Sequence, residues 1–250
     1  MVARGVCTVG RAGRAGRAGR ARRTAVAVAA AVLLGASAAA CGSADGGDGG
    51  GTAATAVRTS PRAAELAKLP AEVVGTGVVV GDPAAPRTAQ VLVDPHCGYC
   101  ALFEKEGGEA LLKAAAAGQV KIEYVLASFL DQGGSGSVKA VNALRAAAER
   151  GRFAEYQAAV FASRPKGAFT DEHLLAVADE VPGLRGPAFD GAVREGTYRE
   201  WVDRVERAFE ETGVQGTPAV LVDGRQIGAE DRSMFDREAF AATLKGAGIG

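Results

Sequence analysis

Along the chain, short β-branched apolar runs alternate with longer stretches in which apolar residues recur every three or four positions. Val73-Val74 and Val78-Val79-Val80 are runs of the first kind, parted by glycine and followed by the turn signal Gly81-Asp82-Pro83. Ahead of them, Ala63 to Leu69 predicts a short helix stopped by Pro70. Gln90-Val91-Leu92-Val93 reads as a buried strand ended by Asp94-Pro95, and Gly98 to about Ala117 reads as one helix carrying Leu102, Phe103, Leu111 and Leu112. Val120 to Leu126 returns to a strand. After the Gly/Ser-rich stretch Gly133 to Ser137, helical spacing takes over. One stripe holds Val138, Val141, Leu144 and Ala148; a second holds Phe153, Tyr156 and Val160; a third is marked by Leu174, Leu175 and Val177; a fourth runs through Tyr198, Trp201, Val202, Val205 and Phe209. Ala219 to Val222 is extended again, Asp223-Gly224 is a hairpin signal, and Ser233 to Asp236 resembles a capping box opening a last helix to about Leu244.

A strand–helix–strand order at the front implies a βαβ unit with a parallel pair, and the hairpin at the end adds antiparallel strands. The expected fold class is therefore α/β, a small mixed sheet of thioredoxin-like layout with a helical subdomain inserted over about residues 131–212. The folded domain is expected over 63–250.

Charge alters the picture of the N-terminus. The formal net charge is zero, but seven of the 29 basic side chains lie in residues 1–41, where there is no acid. The rest of the chain holds 22 basic and 29 acidic groups, net −7, so a surface built to neutralise nucleic-acid phosphates is not expected. The Arg-rich opening, the apolar stretch from Ala25 to Ala40 and the small residues at its end are the three parts of a secretory signal, which assigns 1–40 to export. Arg22-Arg23 lacks the strongly apolar residues expected just after a twin-arginine pair. Ala38-Ala39-Ala40-Cys41 resembles a lipobox, although Ala38 stands where Leu is favoured. Cysteine parity points the same way: Cys7 leaves with the signal, Cys97 and Cys100 form a pair, and Cys41 is left over. Lipidation of Cys41 would account for it, and the Gly-rich stretch within 41–62 would serve as a flexible tether to the membrane. Ordinary secretion with a free thiol at Cys41 is the alternative.

The candidate chemistry is Cys97-Gly98-Tyr99-Cys100. Two cysteines three apart in the first turn of a helix share a face within disulfide reach. The unpaired N–H groups and partial positive charge of the helix start favour a thiolate at the first of them, and the thiolate is the species that exchanges disulfides. A structural disulfide or half of a zinc site would use the same residues; a closed zinc site would need further ligands, and the chain has only His96 and His173 beyond its carboxylates.

Val91 to Cys100, taken with Gly213-Val214-Gln215-Gly216-Thr217-Pro218-Ala219-Val220-Leu221-Val222-Asp223-Gly224, resembles the DsbA-like branch of the thioredoxin superfamily over roughly residues 72–246. The resemblance implies an exported thiol–disulfide oxidoreductase acting on protein thiols and disulfides. Cys97 would be the reactive sulfur and Cys100 the buried resolving one. Thr217 and a cis Pro218 would face them and guide an extended substrate. A membrane redox partner is implied, but no metal or organic cofactor. Two features depart from the family. Val91 stands six residues before the first cysteine, where some relatives carry a buried acid, leaving Asp94 and Glu123 as candidate substitutes and His96 as a candidate polarising group. The Gly-Tyr dipeptide lacks the His of strong oxidases and resembles that of DsbC-type isomerases. Isomerase or reductase activity of the same fold therefore stays open, as do two readings of another class, a metal-binding chaperone using His96, Cys97 and Cys100 and a non-catalytic binding lipoprotein.

Overall fold

The β-branched runs and apolar stripes assemble into a six-stranded sheet flanked by helices in the computed structural model, which describes residues 56–58 and 61–250. The expected signal segment 1–40, Cys41 and, of the expected tether 41–62, residues 41–55 and 59–60 lie outside the described residues. In chain order the elements are α1 (Ala63–Leu66), β1 (Ala71–Val74), β2 (Gly77–Val80), β3 (Thr88–Val93), α2 (Gly98–Lys105), α3 (Gly107–Ala116), β4 (Lys121–Leu126), α4 (Ser137–Glu149), α5 (Phe153–Ala162), α6 (Asp171–Asp179), α7 (Pro187–Glu195), α8 (Arg199–Glu211), β5 (Ala219–Val222), β6 (Arg225–Ile227) and α9 (Arg237–Gly246). Two 3-10 turns, Phe129–Gly133 and Ser233–Phe235, complete the set.

The sheet order is β1-β2-β4-β3-β5-β6, with β3 and β4 parallel and every other neighbouring pair antiparallel. This is the mixed α/β sheet that the sequence predicts. The parallel pair is central, so both its faces are covered, which is why Val91-Leu92-Val93 and Tyr124-Val125-Leu126 read as continuous apolar runs. Helices α3 and α9 pack together, α4 packs on β1 and α8 on β4. Among the described residues no helix is long and apolar enough to cross a membrane.

Four details differ from the sequence expectation. The first helix ends at Leu66 rather than Leu69. The helix expected from Gly98 to Ala117 is broken at Glu106, whose backbone (φ −113°, ψ −83°) re-aims the chain. The break lets Gly107 close onto the turn before α9: a Cβ there would lie 2.4 Å from the Met234 carbonyl oxygen, a contact only glycine allows. The region between β4 and β5 holds five helices rather than four. The extra one, α7, starts with Pro187 at its first position and buries Phe189, Ala192 and Val193. Finally, the cap of the last helix is Asp236, which accepts from the Ala239 N–H at 2.8 Å. Ser233 belongs to the preceding 3-10 turn, and its hydroxyl pairs with that of Thr243 at 2.9 Å.

Candidate functional site

Strand β3 delivers the chain to a tight corner, and α2 begins there with Cys97 as its N-cap. The Cys97 sulfur takes the place of a capping oxygen, accepting from the Cys100 N–H at 3.3 Å. Cys97 is half-buried; Cys100, one turn further in, has no exposed surface. Both are thiols. Strand β5 approaches from the other side, entered through Thr217-Pro218, whose peptide bond is cis. The Cys97 thiol donates to the Thr217 carbonyl oxygen at 3.5 Å. The four residues expected to form the site, Cys97, Cys100, Thr217 and Pro218, thus come together from distant parts of the chain.

The two sulfurs are electrostatically unlike. The Cys100 thiol, donating to Cys97, lowers the Cys97 pKa from 9.0 to about 6; burial opposes this, and the N–H groups of Cys100 and Tyr99 and the Thr217 side chain add to it. The Thr217 hydroxyl is buried without a hydrogen-bond partner. Burial drives Cys100 the other way, well above the ordinary thiol range, reinforced by its bond to Cys97 and by the Cys97 charge. At neutral pH Cys97 is the thiolate and Cys100 the thiol.

The candidate helpers fare differently. Asp94 is completely buried at the corner, where it accepts from the His96 N–H at 2.9 Å, the Leu130 N–H at 3.1 Å and the Ser137 hydroxyl at 2.6 Å. Burial raises its pKa against the lowering by these three donors. The carboxyl therefore fastens the corner to the 3-10 turn at Phe129–Gly133 and to the start of α4. The His96 ring does not point at the sulfurs. Its Nε2 pairs with the Gly167 carbonyl oxygen at 2.8 Å, and the ring meets Phe169 edge-on at 5.8 Å. Glu123 lies over Gly77 of β2, across β4 from the corner. No group of three or more His, Cys, Asp or Glu side chains among the described residues could hold a metal ion.

The group that sequence reasoning passed over is Glu104. It lies four residues after Cys100, hence on the same buried face of α2, with Phe103 beside it. Burial pushes its carboxyl up to about 8, with Gln157 opposing. Its Oε1, the Tyr124 hydroxyl and the Gln157 Nε2 are all buried without a hydrogen-bond partner. The legible signal was a charged residue on an otherwise apolar helical stripe.

A thioredoxin family model matches residues 73–240. Among solved structures, the thiol-disulfide oxidoreductase MdbA from Corynebacterium matruchotii superposes with a TM-score of 0.57 at 22% identity, covering 66% of this chain and 92% of that one. BdbD from Bacillus subtilis gives 0.60 at 19% identity, covering 73% and 98%. DsbA from Mycobacterium tuberculosis gives 0.52 at 20% identity, covering 69% and 100%. At these identities the likeness establishes a common fold. A curated hydroxyurea phosphotransferase from Kitasatospora aureofaciens is 67% identical over 33 residues; that stretch is 13% of this chain and 10% of that protein, too little to bear on family or activity.

Two predictions follow from the charge distribution. In the reduced protein, carboxymethylation of Cys97 should be half-maximal near pH 6, with Cys100 unmodified under native conditions; a midpoint above pH 8 by mass spectrometry would contradict the thiolate assignment. Glu104 makes stability fall with pH. Between about 4.5 and 8 the unfolded chain has released a proton that the folded protein retains, so unfolding is favoured as pH rises through that window. Measured on the disulfide form, in which neither thiol titrates, Glu104→Gln should gain stability over wild type between pH 5 and pH 8 by on the order of a few kcal/mol. Parallel urea midpoints for the two proteins would reject the buried-acid reading.

Proposed function

The chain belongs to the thioredoxin family, and from that premise we propose that it is an exported thiol–disulfide oxidoreductase of the DsbA type, acting on protein thiols and disulfides. The observation that carries this reading is the pair at the start of α2, Cys97 half-buried at the N-cap and Cys100 buried one turn further in, with the Thr217 carbonyl oxygen of the cis Thr217-Pro218 entry against Cys97.

In the oxidising direction the protein starts with a Cys97–Cys100 disulfide. A substrate thiolate attacks the Cys97 sulfur, the intramolecular S–S bond breaks, and Cys100 departs and takes up a proton. A second substrate thiolate then attacks its own chain's sulfur in the mixed disulfide. Cys97 leaves as a thiolate, the substrate is oxidised by two electrons, and the protein is reduced by two. Low basicity makes Cys97 a good leaving group in this last step. Run backwards, the same steps reduce or reshuffle a substrate disulfide. The Thr217 backbone lies where an extended substrate can align, with Pro218 fixing the entry to β5.

The lowering of the Cys97 pKa to about 6 favours the thiolate both as attacking and as leaving group, which suits oxidation and reshuffling alike. Reoxidation is assigned to a membrane redox partner, and the protein to the outer face of the cytoplasmic membrane through a lipid on Cys41. The Arg-rich start, the apolar stretch to Ala40 and the cysteine parity support that placement.

Trapping tests the chemistry. Cys100→Ala should accumulate mixed disulfides with substrate proteins in cells, at least tenfold over wild type, because the resolving thiol is gone; Cys97→Ala should accumulate none. Equal trapping by the two variants would overturn the assignment of roles. For the anchor, Cys41→Ala should move the protein from the membrane fraction into the medium, and equal release of variant and wild type would remove the lipid.

A further inference from the structure

The dipeptide between the cysteines carries no positive charge, yet the helical region supplies one beside them. The loop after α5 brings Arg164 against the corner, where its Nη1 donates to the His96 carbonyl oxygen at 3.3 Å. Its Nη2 lies 3.7 Å from the position a Cβ would take on Gly98, the residue after Cys97. The guanidinium therefore stands beside His96 and Gly98, the two residues that flank the reactive cysteine. Lys166, exposed on the same loop, adds a second cation.

This loop is held in place. His96 bonds to the Gly167 carbonyl oxygen, and the Phe169 N–H donates to the Ser135 carbonyl oxygen at 2.8 Å. Gly136, at φ +73°, has no room for a Cβ, which would lie 2.4 Å from the Phe169 oxygen. Among the described residues neither Arg164 nor Lys166 forms an ion pair. The corner's own carboxylate, Asp94, is buried and bonded to three donors. The other flank of the site is aromatic: Tyr99, 61% exposed, leans on Phe235 with ring centroids 5.8 Å apart. Arg232 on that flank lies over the Phe235 ring at 6.0 Å, with Asp231 and Glu230 just before it in the chain.

We propose that Arg164 is a specificity-determining residue that makes the site prefer substrate cysteines flanked by an acidic residue. The proposal rests on the oxidoreductase reading and names its substrate class. In an extended substrate, side chains one or two residues from the reacting cysteine lie about 3.3–7 Å along the strand, which brings a flanking carboxylate within reach of the guanidinium once the sulfur meets Cys97. A fixed, planar, unpaired guanidinium suits a carboxylate better than a mobile lysine would. Outside residues 1–41 the chain is net negative, so without this local charge it would repel such substrates.

The test uses the oxidised full-length protein and three reduced dithiol peptides of one sequence, differing only in Glu, Gln or Lys on either side of the first cysteine. Exchange rates are divided by those of the same peptides with neutral hydroxyethyl disulfide, which removes the effect of the flanking charge on the peptide thiol itself. The Glu peptide should react about fivefold faster than the Lys peptide at low salt, the size expected of one partly exposed ion pair. The ratio should shrink toward one in 1 M salt, where the screening length is about 3 Å. Arg164→Gln should bring the low-salt ratio below about twofold, and Arg164→Lys should fall between Arg164→Gln and the wild type. Equal normalised rates in the wild type, or an undiminished ratio in Arg164→Gln, would overturn the preference while leaving the oxidoreductase reading intact. Failure to oxidise any of the peptides would overturn that reading and the preference with it. The salt series needs no variant, so the result does not depend on Arg164→Gln folding well.

Discussion

A sulfur atom at a helix N-cap is the contact on which the site turns. The first turn of any helix leaves backbone N–H groups without intrahelical partners, and at α2 one of these is given to Cys97. That bond does two jobs. It starts the helix at Gly98, and it surrounds one sulfur with donors that favour its ionised form. Moving the cysteine one position in either direction would lose both. The Thr217 carbonyl oxygen, which accepts from the Cys97 thiol when that is protonated, is brought by β5, the antiparallel neighbour of β3, so its place depends on the pairing of Leu92 with Ala219.

Two buried carboxyl groups lie close to this corner and play opposite parts. Asp94 has three donors and is a structural fastening: it satisfies a turn that would otherwise bury backbone N–H groups, and it pins α4 to the corner. Glu104 has an oxygen with no partner and is held neutral by burial up to about pH 8. A satisfied buried carboxyl stiffens a fold, whereas an unsatisfied one costs stability and marks a place where a proton can be held. The corner thus has a rigid side facing the helical region and a proton-retaining side beneath Cys100.

The sheet and the site cysteines were legible in the sequence because each leaves a local trace, a β-branched run or a fixed spacing, whereas the part of Thr217-Pro218 came from the family resemblance. What was not legible depended on contacts between distant segments. The break at Glu106 had a local signal in Gly107-Gly108, but the reason for it, the close approach of Gly107 to Met234, joins distant segments. The capping position of α9 moved to Asp236 because the Ser233 hydroxyl is engaged with Thr243. Helix α7 left a signal, proline at its first position ahead of a short apolar stripe, that was weak beside its neighbours. Asp94 was legible as a residue but not as a fastening, since two of its three donors, Leu130 and Ser137, arrive from far along the chain. The cation beside Cys97 was invisible for the same reason, as Arg164 is 67 positions away.

The unequal sulfurs also bear on how a mixed disulfide is resolved. Burial is the largest reason the Cys100 thiol resists ionisation, but the next two reasons are its bond to Cys97 and the Cys97 charge. Both vanish when Cys97 is bonded to a substrate sulfur, because a disulfide sulfur carries no charge and is a poor acceptor. Burial is then the one opposition left, still offset by Thr217 and the Asp94 backbone, and the Cys100 thiolate becomes easier to form in the mixed disulfide than in the reduced protein. Resolution is thereby favoured only after a substrate has been captured. In the reduced state the thiol proton stays on Cys100, where it stabilises the Cys97 thiolate that performs the next attack.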